Sequence, residues 1–477
     1  MADALLTLTG DAALTAALAR AFATELQAGD ALLLDGPVGA GKSHFARALI
    51  RARLANPQEE VPSPTFTLVQ TYAGAPEIWH ADLYRLTDPA EVDELGLTDA
   101  LDDSIALIEW PDRMDPVPGA LTLRLSPLAD DPDQRRIELI GDAARWDHLR
   151  RAAMRATFIH QAGWGTAEIA FLAGDASARR YFRLSRDGET AVLMDTDTET
   201  LAPYLAMTGW LCDRGFDVPE ILFSDLAAGL ALIEDFGDAR IARVIADTPE
   251  LAEPLYDRIA GLLARLASFP PAPGIMVLDG PAMAEQVGMF AQWYPEAVGA
   301  DPGIRDAAAR IAPVIARLHA RLCADLPPVT GLRDFHAENL ILTPDDRLGL
   351  LDFQDAVATH PAYDLVSVLH DARRTLPAGV EDGTIARFLA DTGLDPDRFH
   401  ASFALLGAQR NLRIMGIFTR LCIRDGKPRY LDFMPHVWGL IEHESNHPDL
   451  AELAELVTRI PKPTPDIIER IRLQCCR

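Results

Sequence analysis

Residues 31–43, ALLLDGPVGAGKS, constrain the fold more tightly than any other stretch of the chain. An apolar run ends in glycine, a glycine-rich loop follows, and the helical pattern GKSHFARALIRARL begins where the loop stops. The spacing is G-x-x-x-x-G-K-S in full, with Gly36, Gly41, Lys42 and Ser43 in place and Gly39 inside the loop. Glycines let successive backbone N–H groups turn inward around phosphate oxygens, and the following helix presents its positive end to them. Lys42 then supplies an ammonium to the phosphates of ATP, and the Ser43 hydroxyl is a ligand for Mg2+. Lysine is rare here, at positions 42, 427 and 462 only, among 44 basic residues. A lysine kept against that bias is one that arginine cannot replace.

Such a strand–loop–helix unit needs a sheet flanked by helices, and the first ~140 residues alternate accordingly. Strands are expected at 31–36, 65–72, 77–84 and 104–110, followed by an antiparallel pair in ALTLRLSP and QRRIELIG. Residues 142–163 read as one arginine-rich helix, and the domain junction is expected inside it, near 147–156. Beyond ~165, short strands joined by turns such as RDGE give a small lobe; after Gly237 the pattern is almost wholly helical. The expected organisation is therefore an α/β P-loop NTPase domain over 1–148 and a bilobal α+β, protein-kinase-like domain over 149–477. The small lobe would cover about 157–237 and the helical lobe about 238–477.

The formal net charge of −27 argues against a broad nucleic-acid grip, which needs clustered Lys and Arg. Five scattered cysteines show no zinc spacing and read as free thiols of a reducing compartment. The N-terminal stretch has acids and no basic segment before an apolar run, and no apolar run is long enough to span a bilayer. The expected location is the cytoplasm, with no membrane partner.

A P-loop NTPase needs an acid to order its metal and a polar group to orient water. HADLYR offers Asp82, with His80 two residues earlier on the same strand face, and ALIEWPDR ends an apolar strand in Glu109. Each acid is either a ligand or a solvated strand end, and His80 by itself reads as a packing or hydrogen-bonding residue. Together GPVGAGKSHFAR, VPSPTFTLVQTY, HADLYRL and LIEWPDR, in this order, resemble the TsaE family of small ATPases in bacterial tRNA threonylcarbamoyladenosine synthesis. The resemblance covers residues 5–145. It implies that Asp82 ligates Mg2+, that Glu109 and Lys42 act in hydrolysis, and that Trp110 lies against the nucleotide. Ser63–Phe66 would form a loop that changes with nucleotide state. The implied partner is a TsaD–TsaB-type complex, with tRNA touched only indirectly.

The stretch GLRDFHAENLILTPDDRLGLLDFQDA, residues 331–356, holds a second pattern. Asp334, then Asn339, then a hairpin and Asp352 is the order in which a phosphotransferase presents its base and two metal ligands. With GDASARRYFRL, IEDFGD, HPAYDL and QRNLRIMGIFTRL, it resembles the aminoglycoside phosphotransferase-like kinases, nearest the AmgK type that phosphorylates N-acetylmuramate and N-acetylglucosamine. The resemblance makes Asp334 the base, and Asn339 and Asp352 the Mg2+ ligands. It makes Gly174–Arg179 the loop over the nucleotide, so that Gly174, Ser177, Arg179 and neighbouring Arg180 bind ATP. Ile233–Phe236, with Glu234 and Phe236, would read the adenine edge, and Asp364 would brace the catalytic loop.

Two departures matter: Leu332 stands where related kinases commonly have His, and the small lobe has no lysine, leaving Arg179, Arg180 or Arg183 to neutralise the phosphates. Arg410 and Arg413 suit an acidic sugar, and Trp293–Tyr294 either line a sugar pocket or pack in a helix core. The acceptor is thus expected to be a small amino sugar. The alternatives are an aminoglycoside or choline-like acceptor, or a silent nucleotide-binding module that regulates the ATPase.

Overall fold

The computed structural model describes residues 4–88, 91–174 and 179–475. By its contacts the chain divides into two compact units, 1–201 with 221–235, and 202–220 with 236–477. The small-lobe sheet thus groups with the N-terminal domain.

The first unit opens with β1 (Ala4–Gly10), α1 (Ala12–Glu25), β2 (Ala31–Asp35) and α2 (Lys42–Arg53). There follow β3 (Val69–Tyr72), β4 (Ile78–Asp82), the short helices α3 (Glu91–Glu94) and α4 (Leu97–Ala100), β5 (Ile105–Glu109), β6 (Leu121–Pro127) and β7 (Arg135–Ile140). The sheet order is β1-β7-β6-β2-β5-β4-β3, with β6, β2, β5 and β4 parallel. β5 is buried along its whole length, as its unbroken apolar run requires of a central parallel strand. One core, including Leu18, Phe22, Phe45, Leu49 and Trp146, joins α1 and α2 to the sheet; a second gathers Ala81, Leu83, Val92, Leu97 and Ile108.

One strand expectation is corrected and one strand is added. β1, outside the expected strands, pairs antiparallel with β7. The strand expected over 65–72 starts only at Val69, because Leu68 takes φ 64° and the Thr65 hydroxyl is held by Asp82 at 2.6 Å. A loop that must reach an acid on the neighbouring strand cannot stay extended.

Helix α5 (Ala143–Gln161) is capped by Asp142, which accepts from the Arg145 N–H at 2.8 Å. Its first half buries Trp146, Leu149, Ala152, Ala153 and Ala156 in the P-loop domain core. Its last turn puts Phe158 and Ile159 into the core of the next sheet. That sheet comprises β8 (Glu168–Gly174), β9 (Arg180–Arg186), β10 (Glu189–Asp195), β11 (Ile221–Asp225) and β12 (Leu230–Glu234), in the order β11-β12-β10-β9-β8, all antiparallel. Between β10 and β11 runs α6 (Thr198–Cys212).

The second unit continues with α7 (Ile241–Asp247), α8 (Ala252–Ala267), β13 (Met276–Val277), α9 (Gly280–Ala297) and α10 (Pro302–Leu322). The short strands β14 (Val329–Gly331), β15 (Leu340–Leu342), β16 (Leu348–Leu350) and β17 (Val357–Thr359) carry the second motif. After them come α11 (Ala362–Leu369), α12 (Val380–Thr392), the 28-residue α13 (Pro396–Ile423), α14 (Met434–Ser445), α15 (Ala451–Thr458) and α16 (Pro465–Arg472). Tyr294 lies in the helical core, stacked on Phe290 at 5.2 Å and Trp438 at 5.8 Å. Among the described residues, no helix is long and apolar enough to cross a membrane.

Candidate active sites

The first site forms where β2, β4 and β5 end side by side. Pairing of β4 with β5 sets Asp82 opposite Glu109, and β2 delivers the loop from the other side. Gly36 has φ 147°, and a Cβ there would lie 2.3 Å from the Leu125 carbonyl oxygen, so only glycine lets the loop leave the sheet. Gly39 and Gly41 also take positive φ. The Lys42 ammonium donates to the carbonyls of Gly36 at 2.7 Å and Pro37 at 3.0 Å, and lies 3.8 Å from the centre of the Trp110 ring. Burial lowers its pKa, and the charges of Glu109 and then Asp82 oppose that shift.

The two acids are buried, not solvated strand ends. Glu109 accepts the Ser43 hydroxyl at 3.1 Å through Oε2, and its Oε1 lies 3.0 Å from His80 Nε2. Asp82 accepts the Ser63 and Thr65 hydroxyls at 2.9 and 2.6 Å and the Tyr84 N–H at 3.1 Å. Its loop carries Phe66, which is 83% exposed. The donor set fits a Mg–nucleotide: a hydroxyl and a carboxylate for the ion, an ammonium and a turn of N–H groups for phosphate. Reading His80 alone missed its partner, because β4–β5 pairing supplies Glu109 from 29 residues away.

In the second unit, the loop after β14 carries Asp334 and Asn339, and Asp352 follows β16. The Asn339 amide donates to the Asp334 carbonyl at 2.9 Å and to Asp352 Oδ2 at 3.3 Å. Gln354 donates to Asp352 Oδ1 at 2.9 Å, a contact that spacing alone did not flag. Buried Asp364 braces the loop, accepting from the backbone N–H of Leu332 at 2.5 Å and of Arg333 at 3.0 Å. Burial pushes its carboxyl up to about 7, against the pull of those two bonds. Arg333 and Asp352 take φ 71° and 58°, and sites that hold such geometry are commonly functional. His336 is half-buried and its pKa is lowered, first by desolvation and then by Arg373. The Asn339 amide and the Asp352 carboxylate are brought together here; with the amide oxygen rather than its nitrogen turned to the ion, this pair fits a hard divalent cation.

The remaining nucleotide candidates divide. Ser177 lies outside the described residues, and Gly174 ends β8 beside Arg180 of β9. Arg179 is buried and Arg180 exposed, while Arg183 is paired with Asp235 at 2.7 Å. Glu234 ends β12, and Phe236 is buried against Gly349, where an added Cβ would meet its ring at 2.6 Å.

This fold and these residues define an ATP-using enzyme with a P-loop ATPase domain and a kinase-like phosphotransferase domain. Residues 9–137 match the family "Threonylcarbamoyl adenosine biosynthesis protein TsaE", and residues 168–400 match "Phosphotransferase enzyme family". The N-acetylmuramate/N-acetylglucosamine kinase of Caulobacter vibrioides is 38% identical over 355 residues, covering 64% of this chain and 94% of that protein. The kinase of the same name from Pseudomonas aeruginosa is 32% identical over 318 residues, covering 63% of this chain and 91% of that protein. The TsaE protein of Rickettsia felis is 43% identical over 97 residues, covering 20% of this chain but only 56% of that relative. The chain belongs to the N-acetylmuramate/N-acetylglucosamine kinase family and carries a TsaE-family domain ahead of it.

Proposed function

We propose that the chain carries two ATP-dependent activities that work separately in the cytoplasm. The first is an ATPase supporting threonylcarbamoyladenosine formation in tRNA, through a TsaD–TsaB-type complex that itself holds the tRNA. The second phosphorylates the anomeric hydroxyl of N-acetylmuramate or N-acetylglucosamine, as in cell-wall recycling. The observation carrying the kinase reading is the junction of Asp334, Asn339 and Asp352 within a region alignable to 94% of a sugar kinase of that name.

In the kinase, Asp334 accepts the proton of the sugar hydroxyl as its oxygen attacks the γ-phosphorus and the bond to ADP breaks. Asn339 and Asp352 hold Mg2+, which when bound neutralises phosphate charge. Asp364 keeps Asp334 in register, and Gly174, Ser177, Arg179, Arg180, Glu234 and Phe236 contact the nucleotide. In the ATPase, Gly36, Gly39, Gly41 and Lys42 hold the phosphates, Ser43 and Asp82 the Mg2+, and Glu109 orients the attacking water. The lysine-free β10 supports a second reading, a silent module that binds nucleotide and regulates the ATPase.

Sugar 1-phosphate formed from Mg-ATP, followed by phosphorus NMR, tests both. Asp334→Asn should remove the product and Lys42→Ala leave it, with the effect on ATP hydrolysis reversed. No phosphorylated product from either sugar or from a panel of amine-bearing acceptors would establish the silent module.

A further inference from the structure

We propose that the helical unit holds a second kind of metal site, for a zinc-class divalent ion, formed by His370, Glu381 and Glu444. These residues come from three separate elements: the C-cap of α11, the first turn of α12 and the end of α14. His370 Nε2 lies 3.2 Å from Glu381 Oε1 and 3.3 Å from Glu444 Oε1, and each residue offers one ligand atom within 4.8 Å of the others. His370 and Glu444 are buried and Glu381 half-buried. Gly407 on α13 makes room for them: a Cβ there would stand 3.0 Å from Glu444 Cγ and 3.1 Å from the His370 ring.

A single proton on Nε2 can bond only one of two carboxylates. An ion with nitrogen and oxygen ligands at about 2.0–2.2 Å in tetrahedral array spaces neighbouring donors by roughly 3.3 Å, the separation found on both sides of the imidazole. Its two positive charges cancel those of two carboxylates beside a neutral ring.

Asn411 supplies an independent observation. It is fully buried one turn after Gly407, its Nδ2 lies 3.4 Å from His370 Nδ1, and its Oδ1 has no hydrogen-bond partner. A histidine that ligates through Nε2 carries its hydrogen on Nδ1 and needs an acceptor there. Turning the Asn411 amide over brings the orphaned oxygen to that hydrogen. The Arg410 guanidinium also donates to the His370 carbonyl at 3.3 Å. The ion would pin the end of α11, the helix that carries Asp364, to α12 and α14.

Metal analysis of the full chain after dialysis in Mg2+ buffer without chelator should find one equivalent of a transition metal. Cobalt loaded into stripped protein should give visible d–d bands. Glu381→Gln and Glu444→Gln should lose both signals, while Asp352→Asn keeps them. Asn411→Ala should weaken cobalt binding about 10–100-fold with the ligands intact. Glu381 is only half-buried, so its variant tests the site even if Glu444→Gln fails to fold. The assignment is overturned if wild type carries no transition metal and stripped protein gives no cobalt bands. It is equally overturned if the metal persists in Glu381→Gln or disappears in Asp352→Asn.

Discussion

Three site residues, Trp110, Arg333 and Asp352, take φ values of 63°, 71° and 58°, a region that costs a non-glycine residue about 1–3 kcal/mol. The surroundings impose them: Trp110 follows the last residue of β5 beneath the Lys42 ammonium, and Arg333 gives its N–H to Asp364. Replacing Asp364 by Asn turns one acceptor into a donor facing a backbone N–H. That should cost about 1–3 kcal/mol and lower kinase kcat more than it raises the KM for ATP, read from thermal melts and initial rates. Gly36→Ala should abolish ATP hydrolysis while leaving sugar phosphorylation intact. His360 is buried, its Nδ1 accepts the Ala362 N–H at 3.2 Å, and burial lowers its pKa to about 4. Its stabilising effect is complete above the unfolded value near 6.5 and is lost as pH falls toward 4. The total is roughly 3 kcal/mol at 1.36 kcal/mol per unit. His360→Gln should flatten the denaturant stability curve across that window.

At the scale of elements, α5 is the unusual piece. Arg151 pairs with Asp195 at the end of β10, and Arg155 bridges the same carboxylate at 3.0 Å to Glu25 of α1 at 2.8 Å. One helix thereby supplies apolar residues to two cores and the cations for an acid on each side. Asp195→Ala strips both arginines of a buried partner and should destabilise the P-loop domain and the small-lobe sheet together, by about 3 kcal/mol. A single shifted melting transition would agree with this; two independent transitions with only one displaced would refute it. The helix was legible in the sequence as one arginine-rich helical stretch over 142–163. Its double allegiance was not, because the side chains that join each core differ in no local pattern, only in which sheet they meet.

For the whole molecule, this arrangement means that no cut within α5 leaves both halves whole. A fragment ending at 148 should be far less stable than one ending at 163, since it forfeits Leu149, Ala152, Ala153 and Ala156 from the P-loop domain core. A kinase fragment starting at 165 should lose Phe158 and Ile159 in turn; solubility and melting of the paired fragments check both. The sequence by itself determined the phosphate loop, the order of strands and helices around it, and the Asp334, Asn339 and Asp352 series, because those chemistries depend on short fixed spacings along the chain. Tertiary structure alone decided that His80 faces Glu109, that Ser63 and Thr65 reach Asp82, and that His370 meets Glu381 and Glu444. Those contacts join residues brought together by strand pairing and helix packing, and nothing in the spacing between them along the chain records the distance between them in space.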